Sequence, residues 1–260
     1  MRNRPEAGTG SMDGMYQGFA GIYDALMKNV DYAKWADQIE ALFRKYGKRP
    51  KTVVDLACGT GGITNILASR GYAVTGVDRS WDMLRIAKEK AGKNGLRIPY
   101  VCQDMTGLEL HRPVDAMVCT CDGFNYILDR TDLKRTLQRI TRYLNPGGIL
   151  IFDISSYYKL SSILGNHTMA DTDEDISLIW LNQFDKDTQI LEMHLTFFIR
   201  EGSLYRRLEE THLQRAYREE EITALLEECG FCGTEVFSPF LLSPPGKRSQ
   251  RIVFAAVRQT

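Results

Sequence analysis

The chain has 260 residues, and 33 Lys and Arg balance 33 Asp and Glu, so its formal net charge is zero. That length suits one large α/β domain or two small ones with a well-buried core. The charge balance argues against extended duplex binding, which relies on many basic contacts to phosphate. No apolar run reaches the roughly 18 residues of a membrane span, and six cysteines fit a reduced, cytoplasmic protein better than a disulfide scaffold.

The first segment, Met1 to Gly14, is polar and lacks the apolar centre of a signal peptide. It reads as a flexible tail (1–14), which leaves 15–260 as a single domain. Tyr16 to Tyr46 has helical periodicity and predicts two helices broken near Asn29-Val-Asp31. Strands and helices then alternate. The expected strands are Thr52–Leu56, Ala73–Val77, Ile98–Cys102, Ala116–Cys119 and Ile149–Ile154. The expected helices are Gly62–Arg70, Trp81–Lys93 and Asp132–Tyr143. Such alternation predicts a parallel sheet with helices on both faces, and Asn145-Pro-Gly-Gly148 marks a turn before the fifth strand.

Beyond residue 175 the pattern changes to residue-by-residue alternation. Asp175–Phe184, Gln189–Arg200 and Leu204–Tyr217 predict an antiparallel meander inserted at about 175–217. A helix at Arg218–Cys229 follows, stopped by Gly230. Phe231–Phe237 and Arg251–Arg258 close the chain as a hairpin across Ser243-Pro-Pro-Gly246.

The segment Val53-Val-Asp-Leu-Ala-Cys-Gly-Thr-Gly-Gly-Ile-Thr64 carries the most chemistry. A β-branched run ends in an acid, a small-residue loop follows, and helix formers come next, which exposes backbone at the mouth of a strand–loop–helix unit. A dinucleotide G-x-G-x-x-G laid on Ala57-x-Gly59-x-x-Gly62 lacks the first glycine, the one that makes the tight turn. No Lys or Arg occurs from Val53 to Ala68, which removes the phosphate-binding P-loop. The loop therefore suits a nucleoside ligand without phosphate. The alternative is a strand–helix turn in which the glycines serve packing alone.

At this point the chain resembles the class I S-adenosylmethionine-dependent methyltransferases. Asp55-Leu-Ala-Cys-Gly59-Thr-Gly61 is similar to their first motif, with Ala57 in place of the first glycine. Asp78, in Val74-Thr-Gly-Val-Asp78, matches the acid that holds both ribose hydroxyls. Val101-Cys-Gln-Asp104-Met105 matches the third motif, whose acid meets the adenine amino group. The loop after the fourth strand, Asp115 to Tyr126, and the turn and strand from Leu144 to Asp153 match the remaining motifs. The aromatics of Met15-Tyr-Gln-Gly-Phe-Ala-Gly-Ile-Tyr-Asp24 resemble those of a subgroup that methylates small molecules, including amino-sugar and glycine N-methyltransferases. Their π-faces would attract a sulfonium, or they would simply be core residues of an amphipathic helix.

The resemblance implies an α/β, Rossmann-like, seven-stranded and mostly parallel sheet, with S-adenosyl-L-methionine as cofactor. Cofactor contacts are expected at Tyr16, Tyr23, Asp55, Ala57, Gly59, Gly61, Asp78, Arg79, Met83, Asp104, Met105 and Cys121. Methyl transfer needs mainly alignment and desolvation, so no triad is required. Tyr16, Asp122 and His212 are the candidates for a catalytic part. Asn125, Tyr126, Tyr157, His194 and Arg215 join Asp122 and His212 as candidate acceptor contacts. Leu208, Glu210, His212 and Gln214 share one strand face, which can equally be the wet side of a sheet. Cys229-x-x-Cys232 without a second pair is weak for zinc, and no metal is expected.

The expected activity is methyl transfer to a nitrogen or oxygen of a small molecule by a monomer or homodimer, with no nucleic-acid or membrane partner. Its rivals are an RNA or protein methyltransferase, a non-catalytic cofactor-binding module, and an NAD-dependent reductase, the last disfavoured by the missing glycine.

Overall fold

A computed structural model describes residues 18–260; the polar first segment and Tyr16 lie outside the described residues. Two helices come first, α1 (Phe19–Leu26) and α2 (Tyr32–Lys45). The turn between them ends where the Asp31 carboxylate accepts the Lys34 N–H at 3.0 Å and caps α2. The alternating region follows as β1 (Thr52–Leu56), α3 (Gly62–Ser69), β2 (Ala73–Asp78), α4 (Trp81–Lys93), β3 (Tyr100–Cys102), β4 (Val114–Cys119), α5 (Arg130–Tyr143) and β5 (Leu144–Ser155). Then come β6 (Thr168–Thr172), β7 (Ile176–Asp185), β8 (Ile190–Glu201), β9 (Leu204–Arg215), α6 (Glu219–Glu228), β10 (Phe231–Phe237) and β11 (Arg251–Arg258).

Seven strands form one sheet in the order β10-β11-β5-β4-β1-β2-β3. β1 to β5 run parallel, and β11 runs antiparallel between β5 and β10. Strand parity sorts the core into two layers. Val54, Leu56, Met117, Cys119, Leu150, Phe152 and Phe254 point to the face covered by α5 and α6. Val53, Ala116, Val118, Ile149, Ile151 and Val253 point to the face covered by α2 and α3. On the first face Phe152 stacks between Phe124 at 4.4 Å and Phe254 at 5.0 Å.

The other four strands, β6-β7-β8-β9, form a separate antiparallel sheet. Its first strand is absent from the sequence expectation. Thr168–Thr172 is exposed at every position and has no apolar face for periodicity to detect. β5 also begins earlier than expected: the Asn145–Gly148 turn is absorbed as an irregularity, where the register with β4 passes from Val114↔Leu144 to Ala116↔Ile149.

The order β2-β1-β4 places a topological switch between β1 and β4, where ligands sit in open α/β sheets. The four-stranded sheet lies over the same carboxyl ends and supplies a roof.

Gly76 in β2 has no room for a side chain. A Cβ there would lie 2.6 and 2.7 Å from ring carbons of Tyr100 and 3.0 Å from the Cys58 sulfur. Gly76→Ala should cost about 1–3 kcal/mol by overpacking. Urea unfolding checks this, and an unchanged midpoint would show that Tyr100 yields freely.

Candidate functional site

Between the strand ends and the roof lies a cavity of about 580 Å³. Its floor is built loop by loop. Ala57 and Gly59 follow β1, Asp78 and Arg79 end β2, and Met83 comes from the first turn of α4. Asp104, Met105 and Thr106 follow β3, and Thr120, Cys121, Asp122 and Gly123 follow β4. Phe19, Tyr23, Met27 and Val30 close one side. Trp180, Met193, Leu195, His212 and Gln214 hang from the roof.

Three non-glycine residues on this floor hold left-handed backbone: Ala57 (φ 51), Cys121 (φ 60) and Asp122 (φ 58). Each such residue costs on the order of 1 kcal/mol or more, and such outliers concentrate at functional sites. Gly123 is compelled by the same crowding, since a Cβ would sit 2.6 Å from the Cys119 sulfur and 3.0 Å from the Ala57 Cβ.

The Asp78 carboxylate faces the cavity with each oxygen already fixed. Oδ2 accepts the Gly59 N–H at 2.8 Å and Oδ1 accepts the Ser80 N–H at 2.9 Å. A carboxylate has about four acceptor positions, so two hydroxyl donors can still be received. Burial pushes the Asp78 carboxyl above its usual range, opposed by those N–H donors. Asp104 caps the turn after β3, accepting the Thr106 N–H at 2.8 Å.

A buried charge cluster closes the far end. Arg251 of β11 donates Nη2 to Asp122 Oδ1 at 2.6 Å and Nη1 to Asp153 Oδ2. Asp153, on β5, is fully buried and also accepts the Cys121 N–H at 2.7 Å and the Asp122 N–H at 3.1 Å. Gln214 of the roof donates to Asp122 Oδ2 at 2.7 Å. Burial works against the charges of Asp153 and Arg251, and the ion pair opposes it in both. Lys159 lines the cavity beside them, donating to Ser155 Oγ at 3.2 Å, and burial lowers its pKa.

On the roof, His212 Nδ1 and the Tyr126 hydroxyl are 3.0 Å apart. Burial pulls His212 down to about 4, so it is a neutral imidazole at physiological pH. Glu210, His212 and Gln214 are each at most 7% exposed. Their face is therefore the inner side of the sheet, and the wet-side reading is corrected.

Of the residues expected to meet the cofactor, Tyr23, Ala57, Gly59, Asp78, Arg79, Met83, Asp104, Met105 and Cys121 line this cavity. Two do not. The Asp55 carboxylate is turned to Thr64, whose hydroxyl donates to it at 2.5 Å, and it borders a separate void of about 20 Å³ with Tyr23, Tyr32 and Thr60. Burial raises Asp55 to about 7. Gly61 precedes α3 as its cap with φ 78, and a Cβ there would sit 2.9 Å from the Tyr100 hydroxyl and 3.1 Å from the Ala87 Cβ, so that glycine serves close helix packing.

Asp122, Tyr126 and His212 line the cavity among the candidate acceptor contacts. Asn125 is buried as a brace, exchanging hydrogen bonds with the backbone of Ser155 and also donating to the Arg215 carbonyl. Tyr157 meets Phe184 edge-to-face and lies under the Arg218 guanidinium. His194 sits on the outer roof face, 3.2 Å from Glu192, and Arg215 pairs with Glu221 at 3.2 Å. These four are structural in placement. Sequence reasoning missed Arg251, Asp153, Lys159 and Trp180. The one available signal was the acid ending the fifth strand, next to the strand that carries Asp122. Among the described residues no cluster of three or more His, Cys, Asp or Glu could hold a metal ion, and no helix is long and apolar enough to cross a membrane.

Comparison with known proteins agrees with this geometry. A family profile described as a methyltransferase domain matches residues 53–148. The putative methyltransferase YqeM of Bacillus subtilis (strain 168) is 38% identical over 245 residues, 93% of this chain and 96% of that protein. A dTDP-4-amino-2,3,4,6-tetradeoxy-D-glucose N,N-dimethyltransferase of Saccharopolyspora spinosa is 25% identical over 92% of each chain. The crystal structure of a S-adenosylmethionine-dependent methyltransferase from Clostridium acetobutylicum ATCC 824 superposes with a TM-score of 0.87 at 35% identity, covering 94% of this chain and 99% of that one.

Two outcomes follow from the buried charges. Arg251→Met leaves Asp153 and Asp122 without their cation and should cost about 3–5 kcal/mol in chemical denaturation; a loss under 1 kcal/mol would show that the cluster is not held as an ion pair. Glu210 has its carboxyl raised by burial from 4.5 to about 7. A group raised in the folded state stabilises fully below its unfolded pKa, and that contribution is lost as pH rises through the folded one. Relative to wild type, Glu210→Gln should therefore gain about 2–3 kcal/mol between pH 5 and pH 8. Parallel stability curves for the two proteins would refute it.

Proposed function

The chain belongs to the class I S-adenosylmethionine-dependent methyltransferases, and we propose that it methylates a nucleophile of a small molecule held beneath the four-stranded roof. The observation that carries this reading is the roofed cavity. At about 580 Å³ it falls in the usual range of small-ligand sites, roughly 300–1,000 Å³. Its inner surface mixes apolar walls with a few fixed polar groups. The zero net charge gives no support to a polynucleotide acceptor. Relatives named as N-methyltransferases of an amino sugar and of glycine favour nitrogen over oxygen as the nucleophile.

The floor fits the cofactor. The open carboxylate positions of Asp78 suit the two ribose hydroxyls, and charge-assisted bonds of this kind are strong. Asp104 would receive an exocyclic amino group, with Met83 and Met105 as apolar walls of the same cavity. The loop from Val53 to Ala68 has no cation, and the cofactor has no phosphate. When bound, S-adenosylmethionine supplies a methyl carbon activated by positive sulfur. The chain's own residues then orient and exclude water. Tyr23 and Phe19 cover one side. Asp122, locked by Arg251 and Gln214, presents a fixed carboxylate edge to the acceptor. His212 and Tyr126 form a neutral hydrogen-bonding pair in the roof, available to orient a nucleophile.

Asp78→Ala should weaken cofactor binding by about 1.5–3 kcal/mol, read by calorimetry, because a charged hydrogen-bond acceptor is lost. Methyl-labelled cofactor offered with a panel of small amines and alcohols should label a small molecule. Label appearing in bulk RNA or protein alone would sink the small-molecule reading, and cofactor binding with no transfer to any of these would favour a non-catalytic module.

A further inference from the structure

The inner face of the roof carries one row that the floor does not explain. Trp180 of β7, Leu195 of β8 and Glu210 of β9 are direct cross-strand partners. Trp180 and Leu195 line the cavity, and so does His212, the next residue along on the Glu210 face. Glu210 is 7% exposed, yet among the described residues its carboxylate has neither a hydrogen bond nor an ion pair. The Trp180 indole N–H is likewise buried without a partner. One row thus ends in an unpaired acceptor and an unpaired donor, about 10 Å apart across two strand spacings.

The surroundings of Glu210 sharpen this. On β9 it lies between Leu208 and His212. Leu195 and Phe197 face it from β8, and Phe19 of α1 packs 5.4 Å from His212 and 5.7 Å from Phe197. His212 is the titratable neighbour on this face, and Tyr126 is held by that same histidine. An unpaired carboxylate among aromatic and aliphatic groups is costly. Glu210 is not itself in the cavity lining, but its cross-strand partner Leu195 and its face neighbour His212 are, which puts the unpaired carboxyl one residue from the ligand space.

We propose that Glu210 is the recognition group for the amino nitrogen of the methyl acceptor. This rests on the small-molecule reading above and specifies its substrate class: a compact, polar amine. The Glu210 carboxylate would accept the N–H donors of the amine and hold its nitrogen at the roof. Five aspartates line the cavity, Asp78, Asp104, Asp122, Asp129 and Asp132, against Arg79, Lys159 and Arg251; Arg251 is committed to two aspartates, and Arg79 acts on the neighbouring His212.

The test needs no knowledge of the natural acceptor. Methylammonium chloride, the smallest primary amine probe, is titrated into protein saturated with S-adenosylhomocysteine at pH 8, with potassium chloride as control. Wild type should bind methylammonium in preference to potassium. Glu210→Gln should bind it at least tenfold more weakly, and Glu210→Asp, which keeps the charge on a shorter stem, should lie between. Because the carboxyl is raised to about 7 by burial, the wild-type preference should fade by pH 5.5. No preference in wild type, or equal binding by Glu210→Gln, overturns the proposal. Neither result bears on the labelled-methyl assay, by which the small-molecule reading is judged separately.

Discussion

The site depends on one buried arrangement of charge: Arg251 between Asp153 and Asp122. Removing a guanidinium and two carboxylates from water is expensive unless geometry compensates. Here the compensation is nearly complete. Asp153 takes two backbone N–H groups in addition to Arg251, and those N–H groups belong to the left-handed residues Cys121 and Asp122. The ion pair therefore holds the strained backbone of the β4 loop. It also ties three adjacent strands, β4, β5 and β11, at the end where the cavity opens. Gln214 extends the tie to the roof, so floor and lid share one anchor.

A second constraint comes from what the floor lacks. Side chains are missing where the chain comes closest to itself: Gly76 against Tyr100, Gly61 against Ala87, Gly123 against Cys119. The glycines of the β1 loop divide their work accordingly. Gly59 borders the cavity, whereas Gly61 allows α3 to approach α4 and β3. A motif that looks uniform along the chain is part ligand surface and part packing device. The same division applies to its acids, because Asp55 braces Thr64 inside the protein while Asp78 faces the cavity.

Much of the architecture was legible in the sequence because it rests on local periodicity. Strands β1, β10 and β11 and helix α4 fall where alternation and helical spacing place them. β6 was not legible, since five exposed residues carry no apolar face and gain their strand geometry only from pairing with β7. In the site, the residues following the parallel strands could be named from motifs. Arg251 could not: nothing near it in sequence announces a partner 129 residues away. The burial of the Glu210–Gln214 face was similarly hidden. An alternating polar face reads as solvent-facing until the cavity beneath the roof is known.

The separation of those partners has a temporal meaning. Asp122 and Asp153 emerge before their partner, which arrives on the last strand of the sheet. Until residue 251 is in place, β5 is an open edge and the two acids lack the guanidinium that pairs them. A chain lacking β11 would lack the clamp that fixes Asp122, and with it the acceptor end of the cavity. Such long-range closure is the slow kind of folding step, and it makes completion of the sheet and completion of the acceptor site one event.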